Sequence, residues 1–448
     1  MSRLATPLLS FILFVFALFA AACASSPDVE TNKTAWSRIE LESDLDAWLD
    51  WTRSTHPAFG QSVDVDAFER QIKQVRAGLH DGMETSEAWY LFARLNPLLN
   101  DAHMGLELPA IDSDLDSWDV EIENGHAYVL LPGPDEKRQE IVTVNGLSVP
   151  EMIARTLPVV RGESDALRQR ILELRFRELV TLNLDGGSPV EVRLQSTDGT
   201  ERVVSEIKPV AAASEATPFS LSFLNSTAIM RIDTFEKDID AEFASFVEES
   251  FAKIASEKAT RLVVDLRDNG GGAHEVSDRL LNYLTSERYT PISAVRARVT
   301  EANRGQIPGA EPGDVVAMPY AQWVEPESRL DHRFGGDVIV LIGPATYSQA
   351  IVFSTTVQDY KIGLIAGEET VGKANQTAQV QHFDLPNTGF QVRAPLYVLT
   401  RSSGEETGTG VVPDIPISNV EDWTIAQVLE AVDLWTAENG QPDLALQR

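Results

Sequence analysis

The stretch "DVIVLIGPATYSQAIVFSTTVQDYKIGLIAG" (residues 337–367) decides the fold. It opens with an apolar run, DVIVLI, that closes on Gly343-Pro344. Ser348 follows, an apolar helix-like segment starts at once, and a second apolar run, IGLIAG, ends the stretch. The order is strand, turn, helix, strand. A serine at such a seam is either a helix cap or a nucleophile. As a cap it would satisfy orphan backbone donors. As a nucleophile it would sit beside the N–H of Gln349, in the field of a helix N-terminus that favours negative charge.

Working outward, residues 220–418 continue the alternation of strands and helices. STAIMRI is a strand, a helix carrying Phe243, Phe246 and Phe251 follows, and RLVVDL is a near-continuous apolar run of the kind covered on both faces of a sheet. A glycine turn and a helix over 275–286 come next. Residues 287–333 carry scattered Pro and Gly and read as an irregular insertion or lid. This order predicts an α/β core with a partly parallel sheet, closed by a C-terminal helix within 419–448.

Upstream, 36–105 has helical periodicity, with Asp64 as an N-cap and a helix opening at Thr85. Residues 106–210 change character: AYVLL, EIVTVNG, VEVRL and RVVSEI alternate like strands, and Asn145-Gly146 marks a turn. The segment IVTVNGLSV is similar to the strand-turn element of PDZ modules, so a PDZ-like β-rich domain is expected here.

The chain begins with one Arg, an apolar core and small residues, the pattern of a secretory signal over 1–22. Cys23 is the only cysteine and follows three alanines, which resembles a lipoprotein signal. A lone cysteine cannot form an internal disulfide. Cys23 is therefore expected to carry lipid, with 23–35 as a tether and the protein held in the bacterial cell envelope, on the outer membrane facing the periplasm. The net charge of −31 opposes contact with nucleic acid. No metal-ligand spacing is visible, and neither a metal nor another cofactor is expected.

DLRDNGGG (265–272) leaves a buried strand and enters three glycines, whose backbone N–H groups can approach a ligand closely. Together with Gln349, Gly271 and Gly272 are candidate donors to a developing oxyanion. RLVVDLRDNGGG, GPATYSQA, GLIAGEETVGK (363–373) and GVVPDIPI (410–417) then form an ordered series. That series resembles the C-terminal-processing (tail-specific) and tricorn-core family of serine peptidases. The resemblance covers the core and implies a crotonase-like ββα peptidase fold, a PDZ-like module, polypeptide substrates and Ser348 as nucleophile.

The family offers two bases. The tail-specific branch implies Lys373, which falls in the GxxTxGK-like motif, and Asp359 matches that branch too. The tricorn-like branch implies His103, from LLNDAHMGLEL, completed by Glu406, with Glu405 as a less good fit. Histidine has an ordinary pKa of about 6.5 and needs little tuning as a base, whereas lysine must fall from about 10.4. Ile351 stands where the tail-specific branch has Glu, and the usual Gln four residues after the lysine is missing. Both departures favour Ser348–His103–Glu406, with an ionisation near neutrality. The expected function is an envelope serine endopeptidase acting through an acyl-enzyme. The alternatives are a Ser348–Lys373 dyad peptidase and a non-catalytic peptide- or lipid-binding protein on the same fold. A crotonase-type acyl-CoA enzyme fits poorly with an export signal.

Overall fold

A computed structural model describes residues 35–109, 118, 120–131, 137–184, 191–205, 218–301, 303–320 and 322–440. The signal segment and Cys23 lie outside the described residues.

The N-terminal region contains β1 (Ala35–Trp36), α1 (Arg38–Thr55), α2 (Phe59–Ser62), α3 (Val65–Gly78), β2 (Met83–Glu84), α4 (Thr85–Ala93) and α5 (Asn96–Leu99). Ser37 and Glu40 form a capping box at α1, and Asp64 caps α3 by accepting from the Ala67 N–H at 3.0 Å, as expected. Then β3 (Gly105–Leu106) leads to a β-rich unit: β4 (Val120–Glu123), β5 (His126–Leu131), β6 (Lys137–Val144), β7 (Leu147–Ser148), α6 (Val149–Thr156), α7 (Asp165–Leu174), α8 (Phe176–Asn183), β8 (Val192–Ser196) and β9 (Glu201–Val204). Its sheet runs β4-β5-β6-β8-β9. Asn145 and Gly146, both at positive φ, make the turn between β6 and β7. Helices and β-rich unit share one apolar core, which joins Trp48, Trp89 and Phe92 to Ile141, Leu179 and Leu194.

The core domain comprises β10 (Phe219–Leu224), β11 (Thr227–Ile232), α9 (Asp240–Glu257), β12 (Arg261–Asp265), α10 (His274–Leu284), β13 (Ile292–Arg298), β14 (Val315–Pro319), β15 (Asp337–Ile342), α11 (Gln349–Asp359), β16 (Leu364–Gly367), β17 (Thr377–Asp384), β18 (Gln391–Arg401), β19 (Ile415–Pro416) and α12 (Ile425–Asn439). One sheet runs β10-β11-β12-β15-β16-β19. Only its β10-β11 pair is antiparallel. Alternate residues explain the apolar runs. Leu262, Val264, Val338, Val340 and Ile342 face the α9–α11 side, while Val263, Ile339 and Leu341 face α12. Each such side chain, fully buried, contributes roughly 1.5–3 kcal/mol.

Residues 287–333 are not the irregular insertion expected from their Pro and Gly. They supply β13 and β14 to a second, antiparallel sheet, β14-β13-β18-β17, in which β13 pairs with the long strand β18. The alternating pattern ISAVRAR is short and half-buried, so the flanking breakers obscured it. β3 joins this sheet through β18, with Gly105 opposite Arg393 and Leu106 opposite Val392. That pairing carries the loop between α5 and β3, residues 100–104, onto the core domain.

Candidate active site

Asn269 organises the turn after β12. Its Nδ2 donates to the Ile232 carbonyl at 3.1 Å, its Oδ1 accepts the Gly271 N–H at 2.8 Å, and its carbonyl accepts the Tyr347 N–H at 2.9 Å. The glycine turn is thereby laid against the β15–α11 junction. A Cβ on Gly271 would lie 2.6 Å from Ser348 Cβ and 2.8 Å from the Gln349 nitrogen, and Gly271 sits at φ +105°. No other residue type fits there.

Ser348 itself is at φ 51°, ψ −120°. Positive φ in a non-glycine residue costs on the order of 1–3 kcal/mol and clusters at functional turns. Its side chain makes no capping hydrogen bond to α11, so the cap reading fails on geometry. The turn is held by Gln376, whose Nε2 donates to the Ser348 carbonyl at 2.7 Å, and by the α11 N–H groups of Ile351 and Val352, which donate to the same carbonyl. Residues Ala350 to Val357 of α11 are all buried, so the helix is anchored all round.

His103 arrives from the other lobe. Its Nε2 lies 3.3 Å from Ser348 Oγ, and its Nδ1 lies 3.0 Å from Thr377 Oγ1. Thr377 Oγ1 donates its own proton to Asp101 Oδ2 at 2.8 Å. The threonine can therefore only accept from the imidazole, which puts the proton on Nδ1 and turns the Nε2 lone pair toward Ser348. Asp101 Oδ1 also accepts the His103 backbone N–H at 2.8 Å. Burial lowers the His103 pKa to about 3, with help from the charges of Arg393 and Arg161, so the ring is neutral. Burial raises that of Asp101.

The other candidates are placed as follows. Glu406 is exposed at the rim of a cavity of about 210 Å³ that Lys373, Asp101, Gln376 and Thr377 also line. Among the described residues no hydrogen bond or ion pair joins Glu406 to His103, and Thr377 and Asp101 occupy the place expected for it. Lys373 lines the same cavity and makes no hydrogen bond to Ser348. The neighbouring Glu368 and Glu369 accept the backbone N–H groups of Asn419 and Gly410 instead of meeting the lysine. Asp359 is spent on a buried pair with Arg401 at 2.6 Å. Of the oxyanion candidates, Gly271 has its N–H engaged by Asn269, while those of Gly272 and Gln349 have no protein acceptor among the described residues. His56 is buried and structural: its Nδ1 accepts the Ala58 N–H, and burial lowers its pKa to about 4. His274 pairs with the adjacent Glu275, and His126 meets Glu140 at 2.6 Å.

Sequence reasoning missed Thr377, Asp101 and Gln376. A signal existed for the first. Thr377 stands four residues after Lys373, where the missing Gln was noted.

Among the described residues, no cluster of His, Cys, Asp or Glu could hold a metal ion, and no helix is long and apolar enough to cross a membrane. A strained serine at a strand-helix turn, faced by a neutral histidine, on a largely parallel sheet with a glycine turn, is an arrangement able to activate a hydroxyl nucleophile. Residues 226–417 match the model of peptidase family S41. The tail-specific protease of Haemophilus influenzae is 22% identical over 291 residues, covering 63% of this chain and 36% of its own. The chain thus spans about a third of the length of that curated relative. The solved structure of mature CPAF complexed with lactacystin has a TM-score of 0.57 at 16% identity, over 89% of this chain and 98% of that one. A second crystal structure of mature CPAF has a TM-score of 0.56 at 16% identity, over 91% and 100%. The core domain is thus similar to peptidase family S41, and the fold of the chain is similar to that of mature CPAF.

Proposed function

We propose that this protein is an exported serine endopeptidase that cleaves polypeptides through an acyl-enzyme on Ser348. The observation that carries the reading is the Ser348–His103 contact with the tautomer locked by Thr377. His103 Nε2 takes the Ser348 proton as Oγ attacks the scissile carbonyl. The Gly272 and Gln349 N–H groups are the donors available to the oxyanion. The imidazolium then protonates the leaving amine, and water, deprotonated by the same Nε2, hydrolyses the ester and restores the serine. Thr377 and Asp101 hold the ring throughout. The 3.3 Å separation is long for a working proton transfer, and such contacts tighten when substrate binds.

Ser348→Ala is expected to abolish cleavage of a denatured protein substrate with the fold intact by circular dichroism. His103→Ala should cost about 10²–10⁴-fold, the usual worth of a general base, and Lys373→Ala far less. The reverse pattern, with Lys373→Ala dead and His103→Ala near wild type, would establish the Ser-Lys dyad. Full turnover by a folded Ser348→Ala variant would overturn the Ser348 mechanism, whereas a wild-type protein without turnover would leave the binding-protein alternative.

We further propose that Cys23 is lipidated and tethers the protein in the cell envelope, at the outer membrane facing the periplasm. The support is the leader pattern of the sequence. Mass spectrometry of the mature N-terminus in the native host should find acyl chains on Cys23. An unmodified terminus at Ala24 or beyond refutes the anchor.

A further inference from the structure

Three parts of the chain meet at the backbone of one residue, Ala102, directly before His103. Its N–H donates to Glu163 Oε2 at 3.1 Å and lies 3.2 Å from the Tyr347 hydroxyl. Its carbonyl accepts from the Arg161 guanidinium. Tyr347, the residue before Ser348, donates its hydroxyl to Glu163 Oε1 at 2.8 Å. The Tyr347 ring also packs against His103, with centroids 5.0 Å apart. Arg161 is held in turn by Glu107, which also pairs with Arg393 of β18. One carboxylate, on the loop of the β-rich unit that enters α7, therefore ties the nucleophile turn of the core domain to the base loop of the N-terminal region. Ala102, His103 and Tyr347 are buried while Glu163 and Arg161 are half-buried, so losing the carboxylate leaves two donors poorly satisfied.

We propose that Glu163 is a positioning residue that sets the Ser348–His103 distance, with Tyr347 as its relay and Arg161 as the clamp on the Ala102 carbonyl. The proposal rests on the serine-peptidase reading above. Glu163 touches neither reacting atom. It acts by keeping two loops from different parts of the chain in register, and a displacement of the base by 1 Å can cost on the order of 10²-fold in rate. A carboxylate suits the role because it accepts two hydrogen bonds from two donors that diverge from it. A glutamine keeps the shape and can still accept from Ala102 N–H while donating to the Tyr347 oxygen.

The test uses the full chain, with Glu163→Ala, Glu163→Gln and Tyr347→Phe, on a denatured protein substrate and on a fluorophosphonate that labels an activated serine. Thermal unfolding serves as the fold control. Glu163→Ala should lower kcat by about 10–100-fold with KM changed less than about threefold, and should slow fluorophosphonate labelling in parallel. Glu163→Gln should recover most of that loss, and Tyr347→Phe should fall between. A folded Glu163→Ala variant that labels and turns over like wild type overturns the positioning role. If that variant does not fold, Tyr347→Phe decides: wild-type labelling and kcat overturn the proposal. A wild-type protein that neither cleaves nor is labelled overturns the peptidase reading, and this proposal falls with it.

Discussion

His103 is buried, and burial works against the charged ring. The sequence-level expectation of an ionisation near neutrality therefore shifts. A base works unprotonated, so lowering its pKa to about 3 keeps it competent well below pH 6.5. Glu163 moves the other way. Burial, then the Asp101 charge, raises it to about 7. A neutral carboxyl, like the amide of Glu163→Gln, can still accept from the Ala102 N–H and donate to the Tyr347 oxygen, so kcat/KM should hold nearly level across neutral pH in the wild type and in Glu163→Gln alike. A limb near pH 6.5 in both proteins would put the titration on His103 itself and refute its lowered pKa.

Among the elements, the glycine turn between β12 and α10 leaves little room. Gly271 lies against Ser348 and Gln349 because Asn269 pulls the turn inward from both β11 and Tyr347. Gly271→Ala must displace either the turn or the nucleophile, at positive φ. It should cost about 1–3 kcal/mol of stability and on the order of 10²-fold or more in kcat, measured by denaturant unfolding and steady-state kinetics. Wild-type kcat in this variant would mean that the serine turn is not fixed by that contact. The antiparallel sheet matters for a different reason. β17 begins at Thr377 and β18 pairs with β3, so one hairpin carries the group that holds the imidazole and the strand that delivers its loop.

At the scale of the molecule, the two lobes are joined by the tip of that hairpin. Asp44 of α1 is wholly buried. Its Oδ1 accepts the Asn387 N–H at 2.9 Å and Nδ2 at 2.8 Å, and its Oδ2 accepts the Thr388 N–H at 2.8 Å and hydroxyl at 2.6 Å. Asp44→Ala strands four donors and should destabilise the protein by about 2–4 kcal/mol. Because the same hairpin positions Thr377 and β3, kcat should fall as well, although Asp44 lies on a different element from every reacting group. An unchanged melting temperature would show that the lobes are held together elsewhere.

Much of this was legible along the chain. RLVVDL and DVIVLI carry consecutive apolar residues, 262–264 and 338–342, because both faces of their sheet are covered, a local pattern that needs no partner to be read. Asp64 as a cap, the Asn145-Gly146 turn and the helix after Ser348 are likewise set by residues within a few positions of one another. The motif order singled out Ser348 and offered His103 and Lys373 without a way to choose between their geometries. What remained depends on contacts between residues hundreds of positions apart. His103 meets Ser348 only because β3 pairs with β18. Thr377 replaces Glu406 at the imidazole because the hairpin brings its hydroxyl to Nδ1, while the glutamate stays at the exposed rim. Local pattern decides which elements form and which faces they bury. Distances between side chains on separate elements are decided when those faces pack, and catalytic geometry consists of such distances.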